Sequence, residues 1–238
     1  MAGATEANIA LLIDADNASA DHLDEVLLVL GEFGSINIRR AYGNWEKSSL
    51  KTWGELSARH SMLQIQQRDV TKRKNATDMR MTIDAMDLLL RGHVKGFGIM
   101  SDDSDFLPLA QRIREEGIPV YGFGTAKAPE GFKQACTRFF DMGALRAANL
   151  ADNGSNAAEP RTAIDPEVVK LLGSAWKASK RNAEGYAALS EVGQRFNAVT
   201  SLSARNYGYS RLVDLVRATG IFDVKVAEGG GLLVKRQR

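Results

Sequence analysis

Asn8-Ile9-Ala10-Leu11-Leu12-Ile13-Asp14-Ala15-Asp16-Asn17 runs from an apolar stretch straight into two aspartates and an asparagine. An apolar run of this length, rich in Ile and Leu and stopped by polar residues, predicts a strand over residues 8–13. The pattern repeats downstream. An amphipathic stretch at 21–33 is followed by a β-rich run at 36–42, a second amphipathic stretch at 46–59, a run at 62–66 and a third amphipathic stretch at 78–90. Runs at 94–100, 118–123 and 138–140 then alternate with helical patterns at 105–116 and 131–135. Strand, helix, strand repeated in this way predicts an α/β domain on a mainly parallel sheet. Ligands of such sheets gather at the carboxyl ends of the strands, so the residues just after each strand deserve the chemical reading.

Those residues are acidic. The first strand delivers Asp14, Asp16 and Asn17. The third connection carries Lys72-Arg73-Lys74-Asn75-Ala76-Thr77-Asp78, with Asp84 and Asp87 further along the helix, and the fourth strand runs into Ser101-Asp102-Asp103-Ser104-Asp105-Phe106. If strands one and four are neighbours, the three sets converge on one edge, where each carboxylate raises the others' pKa. A hard divalent cation relieves that repulsion, and oxygen donors without nearby His or Cys point to Mg²⁺ or Mn²⁺. A cation so held activates water and stabilises charge on a phosphoryl oxygen, which makes phosphodiester hydrolysis the natural chemistry. Asp14, Asp16, Thr77, Ser101 and Asp103 are also the residue types that cap helices. Asp16 and Asp102 read as caps or supporting groups, and Asp87 as part of a solvated helix face. The basic run Lys72, Arg73, Lys74 is either a solvated loop or a grip on a substrate's phosphate backbone.

Outside the α/β stretch the composition changes. Residues 147–160 are small and polar, without aromatic or β-branched residues, and form a linker. Asp165-Pro166 then opens a helix reaching Lys180, a second helix begins near Leu189, and a third is expected over 203–219. Two β-rich runs, 221–226 and 232–235, flank Glu228-Gly229-Gly230-Gly231, which is hairpin chemistry. Three helices and a hairpin give the order of a winged helix. The expected domains are 1–146, a linker at 147–162 and a small domain at 163–238. With 238 residues the chain exceeds the prior of roughly 150 per domain, in keeping with two units. Apolar residues at 44% and charged residues at 25% exclude a wholly disordered or fibrous chain. The net charge of +2 divides unevenly, with the first 150 residues acidic and the remainder basic, which either hints at a polyanionic partner for the second half or is ordinary solubilising surface. The one cysteine, Cys136, cannot close an intramolecular disulfide, and the first apolar run is too short for a signal or a membrane span. A reducing, cytoplasmic setting without membrane attachment is expected.

Other chemistries find less support. His22, His60 and His93 stand in unrelated positions, and no phosphate-binding loop or dinucleotide fingerprint occurs. The Asp14-Ala15-Asp16 pair resembles the first motif of haloacid-dehalogenase-type phosphatases, although that family has Thr or Val two places after the second aspartate and Ser19 stands three places after.

Three motifs resemble those of NYN domains, the PIN-like nuclease domains of the LabA/DUF88 type. They are Ile13-Asp14-Ala15-Asp16-Asn17, then Lys74-Asn75-Ala76-Thr77-Asp78 with Asp84 six places on, and Met100 through Leu109 with its Ser101-Asp102-Asp103-Ser104-Asp105-Phe106 core. The likeness spans residues 8–145; Asp102, Asn75 and Ala76 depart from the family's usual residues. It implies a PIN-like (Rossmannoid) fold, and a metal-binding set formed by Asp14, Asp78, Asp103 and Asp105, with Asp84 as an additional member and Asn17 positioning the set. Leu189-Ser190-Glu191-Val192-Gly193, Tyr207-Gly208-Tyr209 with its flanks, and Phe222-Asp223-Val224 resemble the OST-HTH or LOTUS domain, a winged-helix fold. That resemblance implies RNA binding or docking of a protein partner. Arg205 and Arg211 would track phosphates, and Tyr207 and Tyr209 either pack in the core or stack on unpaired bases. PIN-like domains often dimerise, so a homodimer is a further expectation of the likeness. The combined expectation is a Mg²⁺- or Mn²⁺-dependent ribonuclease acting on single-stranded RNA, with DNA left open because nothing reads a 2′-hydroxyl. The alternatives are a non-catalytic RNA-binding or docking adaptor, and a phosphatase with Asp14 as nucleophile.

Overall fold

Strand β1 (Asn8–Asp14) is the centre of the first unit because its side chains from Ile9 to Asp14 are all buried, which only a strand flanked on both edges and covered on both faces achieves. The computed structural model describes residues 7–68, 76–146, 164–209, 211–227 and 230–237. The chain divides into two units, Met1–Gly143 and Ala144–Arg238.

In the first unit β2 (Ser35–Gly43) and β4 (Gly96–Met100) pair with β1 on either side, both parallel. With β3 (Leu63–Gln66), β5 (Val120–Gly124) and β6 (Arg138–Asp141) they complete a six-stranded parallel sheet in the order β3-β2-β1-β4-β5-β6. Helices α1 (Leu23–Gly31), α2 (Lys51–Arg59), α3 (Ala76–Leu90), α4 (Leu107–Glu115) and α5 (Glu130–Ala135) connect the strands. The chain leaves β1 toward β2 and β3 and returns on β1's other side as β4, so the β1–β4 seam is the topological switch point. Ile13 registers with Met100 there, which brings Asp14 and Ser101 to the same sheet edge.

Helix α3 shows how sequence fixes packing. Met81, Ala85, Leu88 and Leu89 are buried at helical spacing and face the sheet, where Leu12, Tyr42, Phe97 and Ile99 belong to the same core cluster. Each large apolar side chain so buried contributes about 1.5–3 kcal/mol. Gly98 allows α1 to come close, because a Cβ at that position would lie 2.7 Å from a methyl of Leu30.

The second unit opens with α6 (Pro166–Ala178), capped as its sequence demands, with Asp165 accepting from the Glu167 amide at 2.8 Å and Pro166 in the first turn. Helices α7 (Leu189–Val199) and α8 (Leu212–Ala218) follow, with a three-stranded antiparallel sheet in the order β7 (Ala187–Ala188), β9 (Leu232–Arg236), β8 (Phe222–Val226). The fold is thus mixed α/β in the first unit and a small helical unit with an antiparallel sheet in the second.

The single helix expected over 203–219 is broken in two. A 3-10 turn, Ala204–Tyr207, is closed by a reciprocal box between Ser203 and Asn206 and ends at Gly208 in the left-handed region, φ 76°. Strand β7 escaped the reading because two alanines carry no alternation. Gly208→Ala is therefore expected to destabilise the second unit by about 1 kcal/mol, the cost of a Cβ in that conformation. Thermal melting of the variant checks this, and an unchanged melting temperature would contradict it. Among the described residues no helix is long and apolar enough to cross a membrane.

Candidate active site

Asp14, the last residue of β1, is fully buried. Its Oδ2 accepts hydrogen bonds from Asn17 Nδ2 at 2.9 Å and Ser101 Oγ at 2.8 Å, whereas its Oδ1 is buried with no hydrogen-bond partner. Burial raises its pKa, the two hydrogen bonds oppose the rise, and the charges of Asp16 and Asp103 add to it. A buried carboxylate oxygen left without a donor costs free energy unless a water or cation takes the place.

Around it stand the other acids. Asp78 in the first turn of α3, Asp103, and Asp105 each offer one oxygen, and these oxygens lie within 4.8 Å of one another. Asp103 caps the 3-10 turn Ser104–Phe106, its Oδ1 accepting from the Asp105 amide at 2.9 Å. Ser101 links the sets: its hydroxyl donates to Asp14 and accepts from the Asp103 amide at 3.0 Å. Burial, followed by the charges of Asp14, Asp103, Asp105 and Asp16, pushes Asp78 up to about 6. All the donors are oxygens, a set that fits a hard divalent cation.

The sign of the Asp78 shift has a consequence for stability. From the ordinary value of 3.8 to about 6 the folded chain holds a proton that the unfolded chain has lost, so stability falls as pH rises through this window. After discounting for solvent screening the penalty at neutral pH is on the order of 1 kcal/mol. In EDTA, Asp78→Asn is expected to melt higher than wild type near neutral pH and level with it below about pH 4. Melting curves at the two pH values check this; a gap that is the same at both would contradict it.

The remaining residues separate cleanly. Asp16 accepts from Lys47 Nζ at 3.0 Å and from Thr77 Oγ1 at 3.1 Å, tying the end of β1 to the start of α3. Asp102 accepts from the Thr125 amide and hydroxyl and ties the end of β4 to that of β5. Asp84 is not brought to the acidic group. Its Oδ2 accepts from Arg40 Nη1 at 3.1 Å and Tyr42 Oη at 3.2 Å, and its Oδ1 lies 3.4 Å from Arg80 Nε. Six residues beyond Asp78 on a helix is about 1.7 turns and roughly 9 Å of rise, which carries Asp84 along α3 away from the sheet edge.

Of the two readings of Tyr207 and Tyr209, the structure places both in the core of the second unit, 8% and 6% exposed. Arg211 pairs with Asp214 at 2.9 Å, and Arg205 is half-buried on the 3-10 turn. Lys72, Arg73 and Lys74 lie outside the described residues. Two functional candidates were missed by sequence: Ser101 as the link between carboxylates, and Lys47 beside Asp16. Lys47 follows the end of β2, where the strand-end rule applies as it does to the other strands.

A parallel α/β sheet whose switch-point edge gathers carboxylates, followed in sequence by a small helical unit with an antiparallel sheet, defines the class of PIN-like domains with a winged-helix-type companion. Residues 8–145 match the NYN domain family and residues 162–234 the OST-HTH/LOTUS domain, and the chain belongs to the NYN family. Uncharacterized protein MJ0482 of Methanocaldococcus jannaschii is 31% identical over 140 residues, 57% of this chain and 54% of that protein, so the chain spans about half the length of this curated relative. A crystal structure of VPA0982, a protein of unknown function from Vibrio parahaemolyticus, aligns over 58% of this chain and 94% of that one at 17% identity and a TM-score of 0.49.

Proposed function

We propose that the protein is a metal-dependent ribonuclease that hydrolyses phosphodiester bonds of single-stranded RNA at the Asp14 edge of the sheet. The observation that carries this reading is the partnerless, buried Oδ1 of Asp14 beside the converging oxygens of Asp78, Asp103 and Asp105. A Mg²⁺ or Mn²⁺ ion held by these four residues would supply charge compensation and Lewis acidity at the scissile phosphate. Asn17 and Ser101 hold Asp14 in one orientation by occupying its Oδ2, which leaves Oδ1 as the oxygen offered to the site. Asp16, through Thr77, keeps the first turn of α3 and hence Asp78 at that edge. In the second unit, with Tyr207 and Tyr209 in the core, the phosphate grip falls to basic side chains, among them Arg205 and Arg211. The single cysteine suits a reducing compartment, the cytoplasm.

The alternatives fare less well. An adaptor has no need of carboxylates that converge, and a phosphatase of the haloacid-dehalogenase type needs Asp16 as its general acid, whereas Asp16 accepts from Lys47 and Thr77. The test is cleavage of an end-labelled single-stranded RNA by the full chain with Mn²⁺, Mg²⁺ or EDTA. Cutting that requires the cation supports the ribonuclease; retained RNA binding with no cutting under either cation would replace it with the adaptor.

A further inference from the structure

We propose that the groove beyond the end of β2 binds the RNA strand on its way to the acidic edge, with Trp45 as a stacking platform and Lys47 and Lys51 as phosphate contacts. This rests on the nuclease reading above. The groove has a volume of about 520 Å³, and its lining includes Trp45, Lys47, Lys51 and Gln64 together with the carboxylates of Glu46 and Glu55. That is ample for a small ligand or a nucleotide.

Three features favour a single strand. Trp45 is half-buried and pinned, its Nε1 donating to the Ile65 carbonyl at 3.0 Å and its backbone amide to Gln66 Oε1 at 3.0 Å. A ring fixed in advance binds a base without paying to be ordered, and every base has a face to stack. Lys47 connects the groove to the acids, because Asp16 holds its ammonium and Thr77's hydroxyl, and Thr77 directly precedes Asp78. Of the two carboxylates in the lining, Glu46 is paired with Arg68 at 2.9 Å, which lowers its repulsion toward a phosphate. Aromatic surface interleaved with ammonium groups matches the alternation of base and phosphate in unpaired RNA, whereas a duplex hides its base faces.

The test measures anisotropy of a short fluorescein-labelled oligouridylate with the full chain carrying Asp103→Asn, in Mg²⁺, across a range of salt. Adding Trp45→Ala is expected to weaken binding about tenfold or more, and Trp45→Phe, which keeps a ring, to stay within about threefold. Adding Lys47→Gln and Lys51→Gln together is expected to lower the slope of log Kd against log salt by about 1.4. The lysine pair and Trp45→Phe keep the test informative if the alanine variant unfolds. Affinity and slope unchanged in Trp45→Ala and in the lysine pair, with RNA cleavage by the otherwise wild-type chain intact, would overturn the groove and leave the nuclease standing. Failure of the Asp103→Asn chain to bind RNA, together with no binding or cutting by the wild-type chain, would overturn both.

Discussion

Asp14→Asn is expected to lower RNA cleavage by on the order of 10³-fold, with its melting temperature in EDTA unchanged or raised. Asparagine keeps the shape of the side chain, and its carbonyl oxygen still accepts from Asn17 and Ser101, so the sheet edge is preserved. What disappears is a charge that burial already disfavours, which is why stability does not suffer. Asp103→Asn is expected to behave alike, since asparagine caps the Ser104–Phe106 turn as well as aspartate does. Cleavage rate and melting curve on the same preparations check the pair of effects. Loss of activity accompanied by loss of fold would instead make Asp14 a structural residue, and retained activity would remove it from the site.

Asp84→Ala is expected to show the opposite signature, a loss of about 3 kcal/mol in stability and a fall in melting temperature of roughly 10 °C. The substitution leaves Arg40, whose side chain is 23% exposed, and the fully buried Tyr42 hydroxyl without their common acceptor. A half-buried arginine without its carboxylate and a buried hydroxyl without its acceptor cost more than the original pair contributed. Asp84→Asn is expected to lose less, because an amide oxygen remains for Tyr42 and Arg40. Calorimetry of the three proteins in EDTA decides the matter. A variant that melts with wild type yet no longer cleaves RNA would return Asp84 to the acidic site.

Residue by residue, these two aspartates mark how far a sequence reaches toward a candidate site. Asp14 is legible because it ends an uninterrupted apolar strand, and strand ends are where parallel sheets present chemistry. Asp103 and Asp105 are legible for the same reason, given that β4 lies beside β1, whereas Asp78 stands in the first turn of α3, twelve residues past the end of β3. Asp84 joins the expected set through a linear motif, which gives spacing but not partners. Only the folded chain brings Arg40 and Tyr42, both on β2, across the sheet to it. In the second unit, the tyrosines flanking Gly208 look the same in sequence whether they face a base or the core. The left-handed turn at Gly208 and the packing around it decide that they face inward. The Trp45 groove needed the β2–α2 connection and the β3 edge in place, and no local periodicity announces that meeting.

The central claim is that carboxylates at the β1–β4 edge hold a divalent cation for RNA hydrolysis. Its most direct test is the rate of cleavage of an end-labelled single-stranded RNA as free Mn²⁺ is raised from chelated to saturating, on wild type and Asp78→Asn together. Wild type is expected to show a saturable rise from zero and the variant no rise. A wild-type rate indifferent to Mn²⁺, or two superimposable curves, would contradict it.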